Sequence, residues 1–352
     1  SDLVVATGGL GPTADDLTRD VLALLAGVPL DLSAEALATV EARFSRRGVT
    51  MPESNRRQAM FPRGCRIVPN PHGTAPGIDL GLPVGGRTCR IIALPGVPAE
   101  MKAMWQGTVA AALAAASPDT ATIVHRRIKC FGAGESAIES MLPDLIRRGR
   151  DPLVGITAHE ATITLRIVAR GRDEAECLAK IAPTERTIRE CLGGHVYGVE
   201  DDEVEDAAVR TLVAADATLG TIEIGTAGRV AACLAQAQAR RLEAGRTAHA
   251  FRGGMVLPPA VVQGPDPATD AGLEALAERA RREFSATVGL AVGPARPGPE
   301  GRSVLAIALA VGEHVEVVEH MLGGGPTLAL SRAAKTAVDL VRRTLAARNP
   351  RA

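Results

Sequence analysis

Near the start of the chain, Thr7-Gly8-Gly9-Leu10-Gly11-Pro12-Thr13-Ala14-Asp15-Asp16-Leu17-Thr18 combines three glycines with two adjacent carboxylates. Glycine lets a backbone approach a ligand closely, and the free N–H groups that open a helix favour an anion. Two aspartates beside a phosphate would oppose it. Each like-charge contact at 4 Å costs about 1 kcal/mol in water and several times that in a partly buried site. A divalent cation reverses the sign, and hard cations prefer oxygen ligands. The run therefore reads as a phosphate site with a Mg²⁺-type ion. Asp15 and Asp16 would equally suit the positive end of a helix with no ligand present.

Such a turn needs a strand before it and a helix after it. Residues 3–6 are a short apolar run delivered straight into the glycines, which predicts a buried strand. An α/β domain rarely opens on its site strand, so further strands and helices are expected ahead of Ser1. After the turn, Leu17, Val21, Leu24 and Leu25 recur at helical spacing. A second helix follows Ser33, a good N-cap, with Leu37, Val40 and Phe44 on one face. A third is predicted over 52–60, with Pro52 near its first turn. Residues 89–94 read as a strand stopped by Pro95-Gly96-Val97-Pro98, and 99–116 as a helix. Alternating strands and helices predict an α/β block over residues 1–150, with a mostly parallel sheet covered on both faces. Residues 151–200 read as a small β-β-α-β module, a spacer or dimer surface. Residues 203–349 again alternate helix and strand.

At 352 residues the chain has room for two or three domains. Hydrophobic residues at 46% and charged residues at 23% exclude a disordered or collagen-like chain. Lys+Arg 40 balances Asp+Glu 40, so the basic excess expected for sequence-independent DNA binding is missing. Aromatics at 2% leave little to stack on bases. Cys65, Cys89, Cys130, Cys177, Cys191 and Cys233 form no C-x-x-C pair, which argues against a zinc knuckle or redox pair. No apolar run of about 18 or more residues is present to span a membrane. The expectations are a cytoplasmic protein, no direct nucleic-acid contact, no membrane, a small-molecule nucleotide as partner, and a homodimer.

The opening motif resembles the signature of the competence/damage-inducible CinA family, within the molybdopterin-binding-like superfamily. Further stretches match in the family's order: Glu53-Ser54-Asn55-Arg56-Arg57-Gln58-Ala59, Pro69-Asn70-Pro71-His72-Gly73-Thr74-Ala75-Pro76-Gly77, Leu94-Pro95-Gly96-Val97-Pro98-Ala99-Glu100-Met101 and Phe131-Gly132-Ala133-Gly134-Glu135-Ser136. The resemblance implies a molybdopterin-binding-like three-layer first domain, incomplete at its N-terminus, a small α+β middle module and an α/β amidase-like last domain. It implies a metal-dependent pyrophosphatase acting on ADP-ribose-like dinucleotides, with Mg, Mn or Co as the ion. On that reading Asp15 and Asp16 hold the metal and, with Glu100, do the chemistry. Gly8, Gly9, Gly11 and Thr13 cradle phosphate, Asn55 and Arg56 hold a phosphate or polar edge, and Asn70 with Gly73 and Thr74 forms the facing loop. Gly96 sits at a second strand-to-helix turn, where α/β sites gather. The alternative is a non-catalytic nucleotide- or pterin-binding regulator linked to competence or DNA damage.

The family's last domain resembles a nicotinamide mononucleotide amidohydrolase with the signature Ala-Glu-Ser-Cys-Thr-Gly-Gly. This chain has Ile222-Glu223-Ile224-Gly225-Thr226-Ala227-Gly228 there. Ile224 replaces the serine and has neither a proton to lose nor a lone pair to attack with. Pro258 stands where the family has a tyrosine, and Gln263 where it has a lysine. A third signature is altered over Val292-Gly293-Pro294-Ala295-Arg296-Pro297-Gly298-Pro299 and Gly301-Arg302-Ser303-Val304. Amidase activity is therefore expected to be lost on a retained scaffold, with Thr226 the one conceivable substitute nucleophile.

Overall fold

The protein is described by a computed structural model covering all residues except 117–120, 148, 299–302, 323–325 and 349–352. Pro299, Gly301 and Arg302 of the third amidase-type signature lie outside the described residues. The chain divides into two compact units, Ser1–Thr120 and Ala121–Ala352, and both are α/β.

In the first unit β1 (Leu3–Thr7) leads into α1 (Thr18–Ala26), β2 (Leu30–Leu32) and α2 (Ala34–Arg46). A 3₁₀ segment, Glu53–Ala59, stands where a helix over 52–60 was expected. Then come β3 (Met60–Pro62), β4 (Arg66–Val68), β5 (Gly77–Val84), β6 (Arg87–Leu94), α3 (Pro98–Met104), a π turn (Trp105–Val109) and α4 (Ala110–Ala116). The main sheet has the order β1-β6-β5-β4. Only β1 and β6 run parallel; β6–β5 and β5–β4 are antiparallel. This corrects the expected mostly parallel sheet. The cause is a two-residue Gly85-Gly86 turn with both φ positive, 57° and 79°, which folds β5 back on β6 as a hairpin.

The strands alternate between two cores. Ile91 and Ala93 join Leu22, Ala36 and Phe61 on the α1/α2 side. Ile92 and Leu94 join Met104 and Val109 on the α3 side. The result is three layers. The Leu17, Val21, Leu24 stripe does not enter this core. Leu24 is 80% exposed, and Leu22 and Ala23 are the buried face of α1.

The second unit begins with β7 (Thr122–Cys130), α5 (Glu135–Met141), β8 (Leu153–His159), β9 (Thr162–Gly171), α6 (Glu174–Leu192) and β10 (Val196–Val199). They form an antiparallel sheet ordered β10-β7-β9-β8. One face is sealed by α5 and α6 through Ile128, Ile138, Leu165, Ile167, Ile181 and Ile188. The expected boundary near residue 150 therefore moves to 120. β7 and α5 had read as the tail of the first block, but β7 pairs with β9 over its whole length.

The rest is α7 (Val204–Ala214), β11 (Leu219–Glu223), α8 (Arg229–Glu243), β12 (Phe251–Val256), α9 (Asp270–Glu283), β13 (Val288–Pro297), β14 (Ser303–Val311), β15 (His314–Met321) and α10 (Pro326–Arg348). The sheet order is β12-β11-β13-β14-β15, with β12, β11 and β13 parallel and the last two antiparallel. Leu290, Val292, Ile307 and Leu309 face α7, α8 and α10. Ile222, Ala291, Ala306 and Ala308 face α9.

One ionic cluster ties the first sheet together. Asp79 on β5 accepts from Arg90 on β6 at 2.9 and 2.8 Å and from Arg66 on β4 at 2.5 Å. The Arg90 hydrogen bonds hold its carboxyl below the usual carboxylate range, against the opposing effect of burial. A depressed carboxyl stabilises the fold above its unfolded pKa, about 3.9, and that contribution fades as pH falls through the folded value. The urea midpoint of the first unit, read in the full chain, is expected to fall as pH drops from about 5 toward 3. Asp79→Asn should flatten part of that fall; an unchanged profile would show that the cluster does not carry it.

Candidate active site

The glycine turn is fixed from both sides. Gly8 N–H donates to Leu94 O at 2.9 Å and Thr18 N–H to Gly9 O at 3.1 Å. The Thr18 hydroxyl donates to Gly8 O at 2.8 Å. Beneath the turn lies Arg19, only 1% exposed. It occupies the first turn of α1, where the helix dipole disfavours a cation. Its guanidinium donates to Leu10 O at 2.5 Å and to Gly11 O at 3.1 Å. The Gly11 N–H is turned to the Asp16 carboxylate, whereas the N–H groups of Gly9 and Leu10 meet no acceptor among the described residues. Two unpaired backbone donors above a buried cation suit an anion.

The loop forms one wall of a cleft of about 330 Å³. Gly8, Gly9, Gly11, Asp16, Thr74, Gly96 and Glu100, all expected from the sequence, line it. Gln58 lines it too and was not singled out. Asp16 Oδ2 accepts from the Thr13 N–H at 2.9 Å and from the Thr13 hydroxyl at 2.6 Å. The hydroxyl bond is the main reason the Asp16 carboxyl sits below its ordinary pKa. Glu100 Oε2 accepts from Asn70 Nδ2 at 2.7 Å. A Cβ at Gly11 would collide with the Asp16 carboxylate, and one at Gly73 with that of Glu100. Glycine at these two positions makes room for the acids.

The structure places the other expected residues differently. Asp15 is exposed, does not line the cleft and has no hydrogen bond among the described side chains. The reason is local: Asp16 N–H donates to Thr13 O at 3.2 Å, so Ala14 and Asp15 form the outer tip of a tight turn. The facing carboxylates are thus Asp16 and Glu100, rather than Asp15 and Asp16. Thr13 is exposed and committed to Asp16. Asn55, 7% exposed, donates to Gln58 Oε1 at 2.9 Å and so positions Gln58 from behind. Arg56 is exposed and lines no part of the cleft. Asn70 is fully engaged: Nδ2 donates to Ala75 O as well as Glu100, and Oδ1 accepts from the His72 and Gly73 N–H groups at 3.0 and 2.7 Å. It sets the loop and Glu100. Gly73 supports that loop without lining the cleft. Gln58 was legible in principle, being three residues beyond Asn55 in the same short helical segment.

Whether these donors suit a metal depends on the kind of site. Among the described residues no three His, Cys, Asp or Glu side chains converge, so no all-protein cage is formed. A Mg²⁺-type ion does not need one. It keeps several waters and is usually held by one or two carboxylates together with substrate phosphates. Asp16 and Glu100 beside an anion-accepting loop fit that pattern.

In the second unit the stretch that resembles the amidase signature lies at the end of β11. Glu223 is 0% exposed at the end of β11. It accepts from the Thr226 hydroxyl at 2.6 Å and from the N–H groups of Val230 and Ala231 at 3.0 and 2.7 Å, at the start of α8. Thr226 is also 0% exposed, and its proton is directed at Glu223. It is inaccessible as a nucleophile. Pro258 and Gln263 are exposed.

Two family models match in succession. A "Probable molybdopterin binding domain" covers residues 1–115, and the "Damage-inducible protein CinA KH domain" covers 125–198. A CinA-like protein of Frankia casuarinae is 36% identical over 98% of this chain and 83% of its own length. The chain belongs to the CinA family. A relative from Symbiobacterium thermophilum, named for competence and damage induction, is 45% identical over 66% of this chain. That match spans only 54% of the relative's length. The solved CinA of Thermoplasma acidophilum, described as of unknown function, is 39% identical over 32% of this chain and 62% of its own, with a TM-score of 0.27. At that score the likeness carries no inference. The CinA KH match agrees with the unit boundary, since it includes β7.

Glu223 offers a stability test of the closed amidase-like position. Glu223→Ala strands two buried N–H donors and is expected to cost about 3 kcal/mol in chemical denaturation. Thr226→Val removes one hydrogen bond and should cost about 1 kcal/mol. Equal effects of the two would contradict the arrangement.

Proposed function

We propose that the first unit is a metal-assisted hydrolase of the P–O–P link in ADP-ribose-like dinucleotides. The observation that carries this reading is the glycine loop, whose Gly9 and Leu10 N–H groups meet no acceptor among the described residues, lining one small cleft with Asp16 and Glu100. The loop would take the diphosphate. Asp16 and Glu100 would hold the divalent ion, which supplies charge neutralisation at the phosphoryl oxygens when bound. Asn70 would steady Glu100, and the proton of the attacking water would pass to solvent. The water oxygen bonds to one phosphorus, the bridging P–O bond breaks, and AMP and ribose 5-phosphate leave. Gln58 would donate to a phosphate or ribose oxygen. Residues 203–349 would serve as scaffold without amidase chemistry, because Ile224 offers no nucleophile and Thr226 is spent on Glu223.

The test is hydrolysis of ADP-ribose by the full chain with Mg²⁺, Mn²⁺ or Co²⁺. Asp16→Ala and Glu100→Ala are each expected to lower kcat/KM by about 10²-fold or more, with Asp15→Ala within about threefold of the parent. Loss of turnover in Asp15→Ala but not in Asp16→Ala would contradict the site. Metal-dependent binding with no turnover would favour the regulatory reading. Ammonia release from nicotinamide mononucleotide is expected to stay at background. Release that Thr226→Ala abolishes would overturn the scaffold assignment.

A further inference from the structure

The second unit holds a cavity of about 670 Å³ that includes neither Glu223 nor Ile224. Its walls are the loop after β7, the β8–β9 turn, the end of β15 and one face of α10. Arg332, Thr336, Asp339 and Arg343 recur along α10 at spacings that keep them on that face. At 1.5 Å per residue the stripe is about 16 Å long.

One end of the cavity brings Arg332 and His320 together. Arg332 Nε and His320 Nε2 are buried and have no hydrogen-bond partner among the described residues. His320 Nδ1 lies 3.3 Å from the Thr336 hydroxyl, which leaves Nε2 as its unused ring nitrogen. Arg332 and Arg343 form no ion pair among the described residues, while Asp339 is taken by Arg342 at 2.6 Å. Burial, and then the charge of Arg332, lowers the His320 pKa. Arg332, Arg343 and His320 thus bring cationic and donor groups to the cavity wall that no ion pair among the described residues neutralises.

The remaining walls are of another kind. Phe131, Ala133, Ile163 and Leu328 supply apolar surface. The β8–β9 turn places Glu160 at the rim, with Glu160 and Ala161 both left-handed, φ 44° and 67°. Asn-Gly is the favoured pair in such a turn, so a carboxylate is held there in an unfavourable backbone region. At the far end a Cβ on Gly132 would lie 3.9 Å from both Arg343 Nη1 and Asp339 Oδ2. Mostly apolar walls with a few convergent polar groups are the usual make-up of a small-molecule site.

We propose that this cavity binds the phosphate monoester of a nucleoside. The phosphate meets Arg332 and His320, the base lies on the apolar wall, and Glu160 or Asp339 accepts from the ribose hydroxyls. A guanidinium and an imidazole are well suited to a phosphate group. This assignment does not rest on the hydrolytic reading of the first unit.

Hydrogen–deuterium exchange on the full chain tests it, with AMP and inorganic phosphate as separate probes. AMP is expected to protect residues 131–135 and 328–343, and phosphate at the same concentration to protect them less. Arg332→Gln should weaken the AMP effect about tenfold or more. Should that variant fail to fold, His320→Phe with the same readout takes its place. Absence of protection in these segments at saturating AMP would overturn the proposal. Equal protection by inorganic phosphate would overturn the nucleoside assignment. Protection confined to residues 8–16 and 94–100 would report the first unit's cleft and count against this cavity.

Discussion

A buried guanidinium organises the first unit. Arg19 meets no carboxylate at salt-bridge distance among the described residues; its contacts are the Leu10 and Gly11 carbonyls. A cation in such a place is costly unless its donors are used and its field is answered. The carbonyls answer part of it, and in doing so turn the glycine loop over. The outward N–H groups and the underlying positive charge then act in the same direction, toward an anion in the cleft. Asp16 and Glu100 oppose that field, and an ion shared with a phosphate reconciles them.

The second unit uses the same elements with the opposite result. At the end of β11 a short turn again leads into a helix, whose first N–H groups have no partner within the helix. Here Glu223 reaches back and takes the Val230 and Ala231 donors for itself. The Thr226 hydroxyl is bonded to the same carboxylate.

Much of this was legible in the residues. The glycine turn, the Pro95–Val97 turn and the acids at 16 and 100 stand in motifs that the strand–helix alternation places on one sheet edge. Asp15 was misplaced because adjacency in sequence says nothing about which side chain a tight turn turns outward; the Thr13–Asp16 hydrogen bonds decide that. Asn55 and Asn70 were recognised as important, but each works one layer behind the cleft, holding Gln58 and Glu100. Arg19 was missed. Its signal was a cation in a helix's first turn, an electrostatic misfit that only the burial explains. The β5 strand was missed although Gly85-Gly86 marks a hairpin. The boundary near 150 was set by chain rhythm, whereas β7 is committed to a sheet whose other strands come later.

The most direct measurement is a crystal of the chain grown with Mn²⁺ and an ADP-ribose analogue that resists hydrolysis, with the ion located by its anomalous signal. The account predicts the ion within bonding distance of Asp16 and Glu100, and diphosphate oxygens on the amide groups of Gly9 and Leu10. An ion held by Asp15, or a diphosphate bound away from the turn above Arg19, would contradict it.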